Sequence, residues 1–338
     1  MTQLDQLSNS DRTLIFETAS DELNIPFEII EKDFWVVWTL ERLFSIPEIN
    51  NHLTFKGGTS LSKIYNVIQR FSEDIDVSIE KDFFGFDHAN DPEAAQSKNK
   101  RRAALDNLSA SCSSYIQNDL LRILSDAISA KLNNSEEWRL EVDAHDPDGQ
   151  TLLFEYPGGT EKEKYIRPIV KIEMGARAEH WPVSNHRIQS YAKIALNDKV
   201  TEQEILIKVL DAKRTFWEKA TILHQYAHLP RDKKLPLRIS RHYYDFFCLL
   251  NSPIKSEALL ELELLDRVAT HKGIYFSSAW ASYGTAKKGS LKLLPQATQL
   301  DALERDYGLM KDMFFGDIPN WNDILNLIGK FEFEFNEV

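Results

Sequence analysis

The chain is poor in cysteine. Its 338 residues include two, Cys112 and Cys248, which lie far apart in apolar, helix-like contexts. So few thiols at this spacing exclude a disulfide framework and argue against a cysteine-based metal site. We expect both to be buried thiols in a reducing compartment.

The chain also lacks the long apolar runs of membrane and exported proteins. No run approaches the roughly eighteen residues of a membrane span. The N-terminal stretch MTQLDQLSNSDR has neither a basic start nor an apolar core, so no signal peptide is expected. These features predict a cytoplasmic protein that makes no contact with a membrane.

Positive charge is in short supply as well. Lysine and arginine total 40 against 52 aspartate and glutamate residues, which gives a net charge of −12. This balance excludes a passive nucleic-acid coat, because lysine and arginine drive binding to phosphate backbones. An RNA substrate would need a local basic surface, although a solvated face is the simpler explanation of each candidate cluster: 98–102, 213–214, 231–234 and 287–288.

The most informative stretch is FKGGTSLSKIYNVIQRFSEDIDVSI, residues 55–79. The pair Gly57-Gly58 separates an apolar run from a segment that predicts a helix from about residue 60 to 69. The following run, SEDIDVSI, alternates polar and apolar residues and so predicts a strand. The pattern is therefore strand, glycine turn, helix, strand.

Two carboxylates in this second strand carry the chemistry. Asp74 and Asp76 are two residues apart, so both project from the same face of the strand. Neighbouring carboxylates repel each other unless a cation offsets their charge, and hard divalent cations prefer carboxylate oxygen. The glycines let backbone N–H groups approach a phosphate. Singly, the glycine pair suits a plain turn and the acids a solvated strand edge, but together they favour phosphoryl or nucleotidyl transfer.

These residues resemble the nucleotidyltransferase superfamily signature, a glycine turn followed by D-x-D. The fuller string FKGGTSLSK…RFSEDIDVSI is similar to the AbiEii/AbiGii toxin family, the toxin half of bacterial type IV toxin–antitoxin and phage-defence systems. The similarity continues in IVKIEM, in TFWEKA and in RHYYD, which ends at residue 245. The matches span about residues 31–245, and the last ninety or so residues carry none.

The resemblance implies particular roles for individual residues. It implies metal ligands at Asp74, Asp76 and Glu173, and catalytic roles for these three together with Lys219 and Asp245. Nucleotide contacts are implied for Gly57, Gly58, Thr59, Ser60, Arg70, Ser72, Lys219 and Arg241. Because Arg70 and Ser72 precede the acids at strand spacing, we expect them on the same face.

Simpler interpretations stay open for the downstream residues. Lys171 and Glu173 could line a solvated sheet face, and Arg241 and Asp245 are spaced for a salt bridge within one helix.

The function implied is a nucleotidyltransferase that uses magnesium, or manganese, to transfer NMP from an NTP to an RNA hydroxyl. The expected acceptor is the 3′ end of tRNA, and the expected partner is a cognate antitoxin. Two alternatives remain: transfer to a protein or small-molecule hydroxyl, which the acidic charge favours, and a nucleotide-binding regulatory protein without catalysis.

The predicted fold class is α+β. Residues 1–200 should form a nucleotidyltransferase-like mixed sheet with flanking helices, and 201–338 a mainly α-helical domain that completes the active-site cleft. Strands are expected within 138–145, 151–157 and 165–177, a loop over 87–102, and a long helix over 102–132. Trp35 and Trp38 should pack in the core.

Overall fold

The computed structural model describes residues 2–72, 74–132, 137–158, 168–202 and 204–337. Its contacts group the chain into two compact units. Unit 1 comprises Met1–Ile64 and Ser72–Val209, and unit 2 comprises Tyr65–Phe71 and Leu210–Val338. The division predicted from the sequence is continuous, whereas unit 2 takes the short segment Tyr65–Phe71 from inside the N-terminal region.

Unit 1 contains both strands and helices. Its strands are β1 (Thr2–Gln3), β2 (Leu53–Lys56), β3 (Asp74–Ile79), β4 (Arg139–Val142), β5 (Thr151–Glu155), β6 (Ile169–Gly175), β7 (Val183–Ile188), β8 (Val200–Thr201) and β9 (Ile205–Leu210). Its α-helices are α1 (Asn9–Leu23), α2 (Phe27–Phe44), α3 (Gly57–Lys63), α4 (Lys98–Tyr115), α5 (Leu121–Ser129) and α6 (Tyr191–Leu196).

Seven of these strands form one mixed sheet in the order β4-β5-β6-β3-β2-β9-β7. At its centre, β3 runs antiparallel to β2 and parallel to β6, while β2 runs parallel to β9. This mixed sheet with its helices confirms the predicted α+β class. It also puts the D-x-D strand in the middle of the sheet, where both of its edges are hydrogen-bonded.

The strands and helices differ in detail from the sequence predictions. The three predicted strands correspond to β4, β5 and β6, and residues 165–167 of the third prediction lie outside the described part of the chain. The helix predicted over 60–69 is wrong in its bounds: α3 starts at Gly57 and ends at Lys63, and Asn66 then adopts a left-handed φ of 48°. The predicted long helix is α4 and α5, joined by a π-helical turn at Ile116–Leu120. It begins at Lys98 and ends at Ser129, so the loop predicted over 87–102 is wrong for its last five residues, which are helical.

Helix α2 supplies much of the core of unit 1. It is apolar around most of its circumference, which is typical of a helix buried on several sides. Trp35 and Trp38 are 0% and 4% exposed, as expected. Trp35 stacks on Tyr156 with ring centroids 5.4 Å apart, and Trp38 stacks on Phe154 at 5.8 Å. Burying a large apolar side chain of this kind contributes about 1.5–3 kcal/mol.

Unit 2 is mainly helical. Its helices are α7 (Ala212–Ala227), α8 (Ser240–Leu250), α9 (Ile254–Leu259), α10 (Leu262–Tyr275), α11 (Leu300–Gly308) and α12 (Trp321–Asn336). Helix α7 begins where the Asp211 side chain accepts a hydrogen bond from the Lys213 N–H, an N-cap. Phe216, Phe246 and Phe331 pack edge to face or tilted in the core, with centroids 4.9–5.8 Å apart.

The segment Tyr65–Phe71 is bound into unit 2 by backbone pairing. The Phe71 N–H donates to the Met313 carbonyl at 2.6 Å, and the Phe315 N–H donates to the Gln69 carbonyl at 3.1 Å. The Gln69 N–H also donates to the Tyr244 hydroxyl at 3.2 Å. These bonds make the segment a short strand-like edge of the helical unit.

The two thiols and the lengths of the helices bear on the compartment predicted from the sequence. Both cysteines are free thiols: Cys112 is buried as expected, whereas Cys248 is only half-buried, so the expectation is wrong for it. Desolvation raises the pKa of each thiol to about 12, which leaves both protonated at neutral pH. Among the helices of the described ranges, none is both long enough and apolar enough to cross a bilayer.

Candidate active site

Three of the predicted carboxylates lie on one face of the sheet of unit 1. Asp76 on β3 is in register with Glu173 on β6, and Asp74 is in register with Lys171. Partners in register on neighbouring strands project to the same face. Asp74, Asp76 and Glu173 are half-buried, while the residues between them along the strands are buried in the opposite face. The alternation predicted from the sequence therefore gathers these acids on one surface.

Gly57 packs directly against one of these carboxylates. A Cβ placed on Gly57 would lie 1.9 Å from Oδ2 of Asp76, and the residue has a left-handed φ of 77°. Position 57 thus requires glycine for two reasons: its left-handed backbone conformation and the close approach of the Asp76 carboxylate. The glycine turn and the D-x-D strand, separated in sequence by a helix, form one continuous surface.

The hydroxyls of Thr59 and Ser60 hold this turn in place, and their predicted contacts with phosphate stay a prediction. The buried Thr59 hydroxyl donates to the Asp74 carbonyl at 2.5 Å and lies 3.2 Å from the Ser72 carbonyl. The buried Ser60 hydroxyl donates to the Gly57 carbonyl at 2.9 Å. Both hydroxyl protons are donated to backbone carbonyls. The Thr59 hydrogen bond connects α3 to the start of β3. Ser72 contributes its carbonyl to this arrangement.

Glu173 is engaged by a neighbouring lysine. Its Oε1 lies 2.5 Å from the Lys171 Nζ. Burial lowers the pKa of Lys171, but the bond to Glu173, helped by Asp74, outweighs burial and raises that pKa overall. In the described residues, no three histidine, cysteine, aspartate or glutamate side chains converge tightly enough to hold a metal ion.

The donor set nevertheless fits a hard divalent cation. It is made of carboxylate oxygens alone, on one face and in adjacent register positions, which is the chemistry that magnesium prefers.

Sequence reasoning missed how α2 supports the turn. Asp33 is buried, its carboxylate lies 2.8 Å from the Lys63 Nζ, and it accepts a 2.6 Å hydrogen bond from the Tyr191 N–H. The Lys63 ammonium lies 3.6 Å from the centre of the Tyr191 ring. This ion pair ties the end of α3 to α2. The signal in the sequence was the charged triplet Glu31-Lys32-Asp33, which directly precedes the apolar run FWVVW in α2.

Unit 2 holds a second cluster of predicted site residues. The fully buried Asp245 accepts hydrogen bonds from Arg70 Nε at 2.7 Å, from Arg70 Nη2 at 2.9 Å and from Lys219 Nζ at 2.7 Å. The prediction that Arg70 shares a strand face with the acids is wrong, because β3 begins at Asp74 and Arg70 belongs to unit 2. Asp245 pairs with these two residues rather than with Arg241.

The electrostatics of this cluster favour an anion. Burial alone would raise the pKa of Asp245, but Arg70 and Lys219 hold it well below its ordinary value. Burial, reinforced by Arg70 and Arg241, lowers the pKa of Lys219. The His242 ring lies 3.2 Å from the Lys219 Nζ, and burial together with the charge of Lys219 keeps the pKa of His242 well below 6.5. The single carboxylate thus faces an excess of positive charge.

The amino-acid sequence matches a known protein family. Residues 38–327 match the family model described as nucleotidyl transferase AbiEii toxin of a type IV toxin–antitoxin system. A search of curated proteins returns no significant match.

Two solved structures show a distant likeness. The nucleotidyltransferase toxin MenT4 from Mycobacterium tuberculosis is 14% identical, with a TM-score of 0.41, over 96% of this chain and 99% of that one. JHP933 from Helicobacter pylori is 10% identical, with a TM-score of 0.39, over 89% of each chain. At such scores the assignment depends on the sequence match. Since that match covers most of its length, the chain belongs to the AbiEii family of nucleotidyltransferase toxins.

Proposed function

We propose that this toxin transfers NMP from an NTP to an RNA hydroxyl in a magnesium-dependent reaction, with the 3′ end of tRNA as the expected acceptor. The observation that carries the proposal is the close packing of the Gly57 backbone against Asp76, with Glu173 in register on the next strand. A turn that binds phosphate and acids that bind a cation are the two parts that nucleotidyl transfer needs.

Each part of unit 1 has a distinct task in this proposal. Asp74, Asp76 and Glu173 would hold magnesium, or manganese, which when bound neutralises phosphate charge and lowers the pKa of an attacking hydroxyl. The N–H groups of Gly57 and Gly58 bind phosphate oxygens. The acids orient the reacting groups because the central position of β3 fixes their backbone on both sides.

The cluster in unit 2 supplies cationic contacts. Lysine is a compact point charge suited to phosphate oxygens, and Lys219 is the member of the cluster that we assign to the nucleotide, together with Arg241. Asp245 holds Lys219 in position through its 2.7 Å bond, and Arg70 fixes the Asp245 carboxylate through two further bonds.

The partners are inferred from the family. A type IV system implies an antitoxin, and a nucleotidyltransferase implies an NTP. The RNA acceptor and the cytoplasmic location stay predictions. The net charge of −12 means that RNA must be held by a local basic surface rather than by overall attraction.

A transfer assay tests the proposal. The protein is incubated with magnesium, total bacterial RNA and each of four α-labelled NTPs in turn, and the products are resolved on a denaturing gel. We expect label on tRNA-sized RNA, which disappears with EDTA and with Asp74→Asn. The control Asp82→Asn removes an exposed carboxylate that follows β3 and should retain activity. Label on protein alone would favour a different acceptor, and nucleotide binding without pyrophosphate release would favour the regulatory alternative.

A further inference from the structure

Two lysines lie among the carboxylates on the face of the sheet that carries Asp74, Asp76 and Glu173, and among the described residues only one of them has a carboxylate partner. Lys171 is bound to Glu173 at 2.5 Å. Lys56, the last residue of β2, is in antiparallel register with Asp76. Side chains directly opposite each other in such a pair have Cβ atoms about 4.5–5.5 Å apart. The row across the sheet therefore runs Glu173, Asp76, Lys56, with Asp76 in the middle.

The ammonium of Lys56 forms no ion pair with the acids that the structure describes. Within the described residues it has no carboxylate at ion-pair distance, although Asp76 is its neighbour in the sheet. The side chain is half-buried, so it is partly accessible to a ligand. Its charge acts nearby: burial lowers the pKa of His180 to about 4, and Lys56 contributes in the same direction. A cation that has no acid partner in the described part of the chain, held beside a row of acids, is suited to an anionic ligand.

The backbone places Lys56 at the mouth of the glycine turn. Lys56 is extended, with φ of −154° and ψ of −163°, and Gly57 follows it directly. The lysine side chain and the glycine backbone thus lie on the same side of Asp76, away from Glu173. A triphosphate whose reacting phosphate sits at the acids would extend its remaining phosphates toward either Glu173 or Lys56. On the Glu173 side the nearby ammonium of Lys171 is already paired with that carboxylate, whereas Lys56 has no acid partner among the described residues.

We propose that Lys56 binds the β- and γ-phosphates of the NTP and stabilises the departing pyrophosphate. The assignment rests on the nucleotidyl transfer proposed above. In that reaction the acceptor oxygen forms a bond to the α-phosphorus. The bond from that phosphorus to the oxygen bridging to the β-phosphate breaks, so pyrophosphate leaves with the electron pair and the hydroxyl proton passes to solvent. A fixed cation at the leaving group acts where negative charge develops.

The test compares ligands of increasing phosphate number. Isothermal titration measures binding of the NMP and of its α,β-methylene triphosphate analogue, which cannot transfer, to the full chain with magnesium. The nucleotide is the one that labels RNA in the transfer assay or, if none does, ATP. The variants are Lys56→Met, which removes the charge, Lys56→Arg, which keeps it, and Lys199→Met, which removes an exposed lysine elsewhere in unit 1.

The expected result is a selective loss. Lys56→Met should weaken binding of the triphosphate analogue about tenfold or more, the usual range for a charge-assisted contact, and binding of the NMP less than twofold. Lys56→Arg should recover most of the loss, and Lys199→Met should match the wild type. Equal losses for the two ligands, or no loss for either, overturn the assignment of Lys56. If the wild type binds neither ligand and releases no pyrophosphate, the proposed function fails and the assignment falls with it.

Discussion

Replacing Gly57 by alanine should disable the enzyme through the position of Asp76 rather than through loss of the fold. The new Cβ would lie 1.9 Å from the Asp76 Oδ2, whereas real Cβ contacts are essentially never under 3.0 Å. The carboxylate must therefore retreat by at least about 1 Å, and misplacing a catalytic group by that distance costs on the order of 100-fold in rate. The left-handed φ of 77° adds a backbone cost of about 1–2 kcal/mol in stability.

Gly85 offers a matched control in the same unit. Its φ of 74° carries the same backbone penalty, but nothing lies within 4 Å of an added Cβ. Gly57→Ala and Gly85→Ala should each lower the free energy of unfolding in urea by a similar, small amount. Pyrophosphate release with magnesium, NTP and RNA should fall by about two orders of magnitude in Gly57→Ala only.

Two outcomes would contradict this reasoning. If both alanine variants keep wild-type activity, the turn at Gly57 does not set the position of a catalytic carboxylate. If both lose activity equally, the backbone strain rather than the contact with Asp76 is responsible.

Three further perturbations follow from buried contacts. Asp245→Ala leaves two buried cations without their carboxylate and should lower the free energy of unfolding by about 3–5 kcal/mol. The double variant Arg70→Met, Asp245→Leu should lower that free energy by less. A double variant that is as unstable as the single one would contradict the pairing. His224 accepts a 3.0 Å hydrogen bond from the Lys292 N–H, and burial lowers the pKa of His224 to about 4. Because the unfolded chain takes up that proton below about pH 6.5, His224 should contribute up to about 3 kcal/mol to the fall in the free energy of unfolding between pH 6.5 and pH 4, and nothing above pH 6.5. His180 and His242, whose pKa values are also lowered, add to this fall, so His224→Gln should make the curve measured in urea shallower by the share of His224 alone, and an unchanged slope would contradict the assignment. Thr59→Val removes the bond to β3 and should cost about 1 kcal/mol and reduce transfer, while Thr59→Ser should retain both; identical activity in the two variants would exclude the role assigned to the hydroxyl.

The parts of the site that the sequence predicts are those set by local periodicity. Asp74 and Asp76 share a face because strands alternate, and the glycine pair marks a turn wherever it occurs. Glu173 could be proposed because it is a lone acid in an apolar strand. The structure adds that β6 lies beside β3 in the register that places Glu173 next to Asp76.

The parts that the sequence could not predict depend on pairing over long distances. Arg70 and Asp245 are 175 residues apart, and no local pattern distinguishes this pair from the Arg241–Asp245 spacing, which suggests a bridge within α8. The role of Lys56 was likewise hidden, because its significance comes from its partner in register on β3. The backbone acceptors of the Thr59 and Ser60 hydroxyls could not be predicted either, because the Asp74 carbonyl that Thr59 reaches lies beyond α3 in the sequence, and the Ser60 bond depends on the local turn.

The path of Tyr65–Phe71 has a consequence for how this protein is synthesised and divided. Because unit 2 contains this segment, it cannot be excised as a continuous piece beginning at Leu210. Such a fragment would carry Asp245 without the arginine that binds it. During translation the segment leaves the ribosome long before the helices that receive it, so the cationic cluster cannot assemble until the final third of the chain has been made. The toxin therefore completes that cluster only late in its own synthesis. A gene that is split near residue 210 must still supply the segment Tyr65–Phe71 to unit 2.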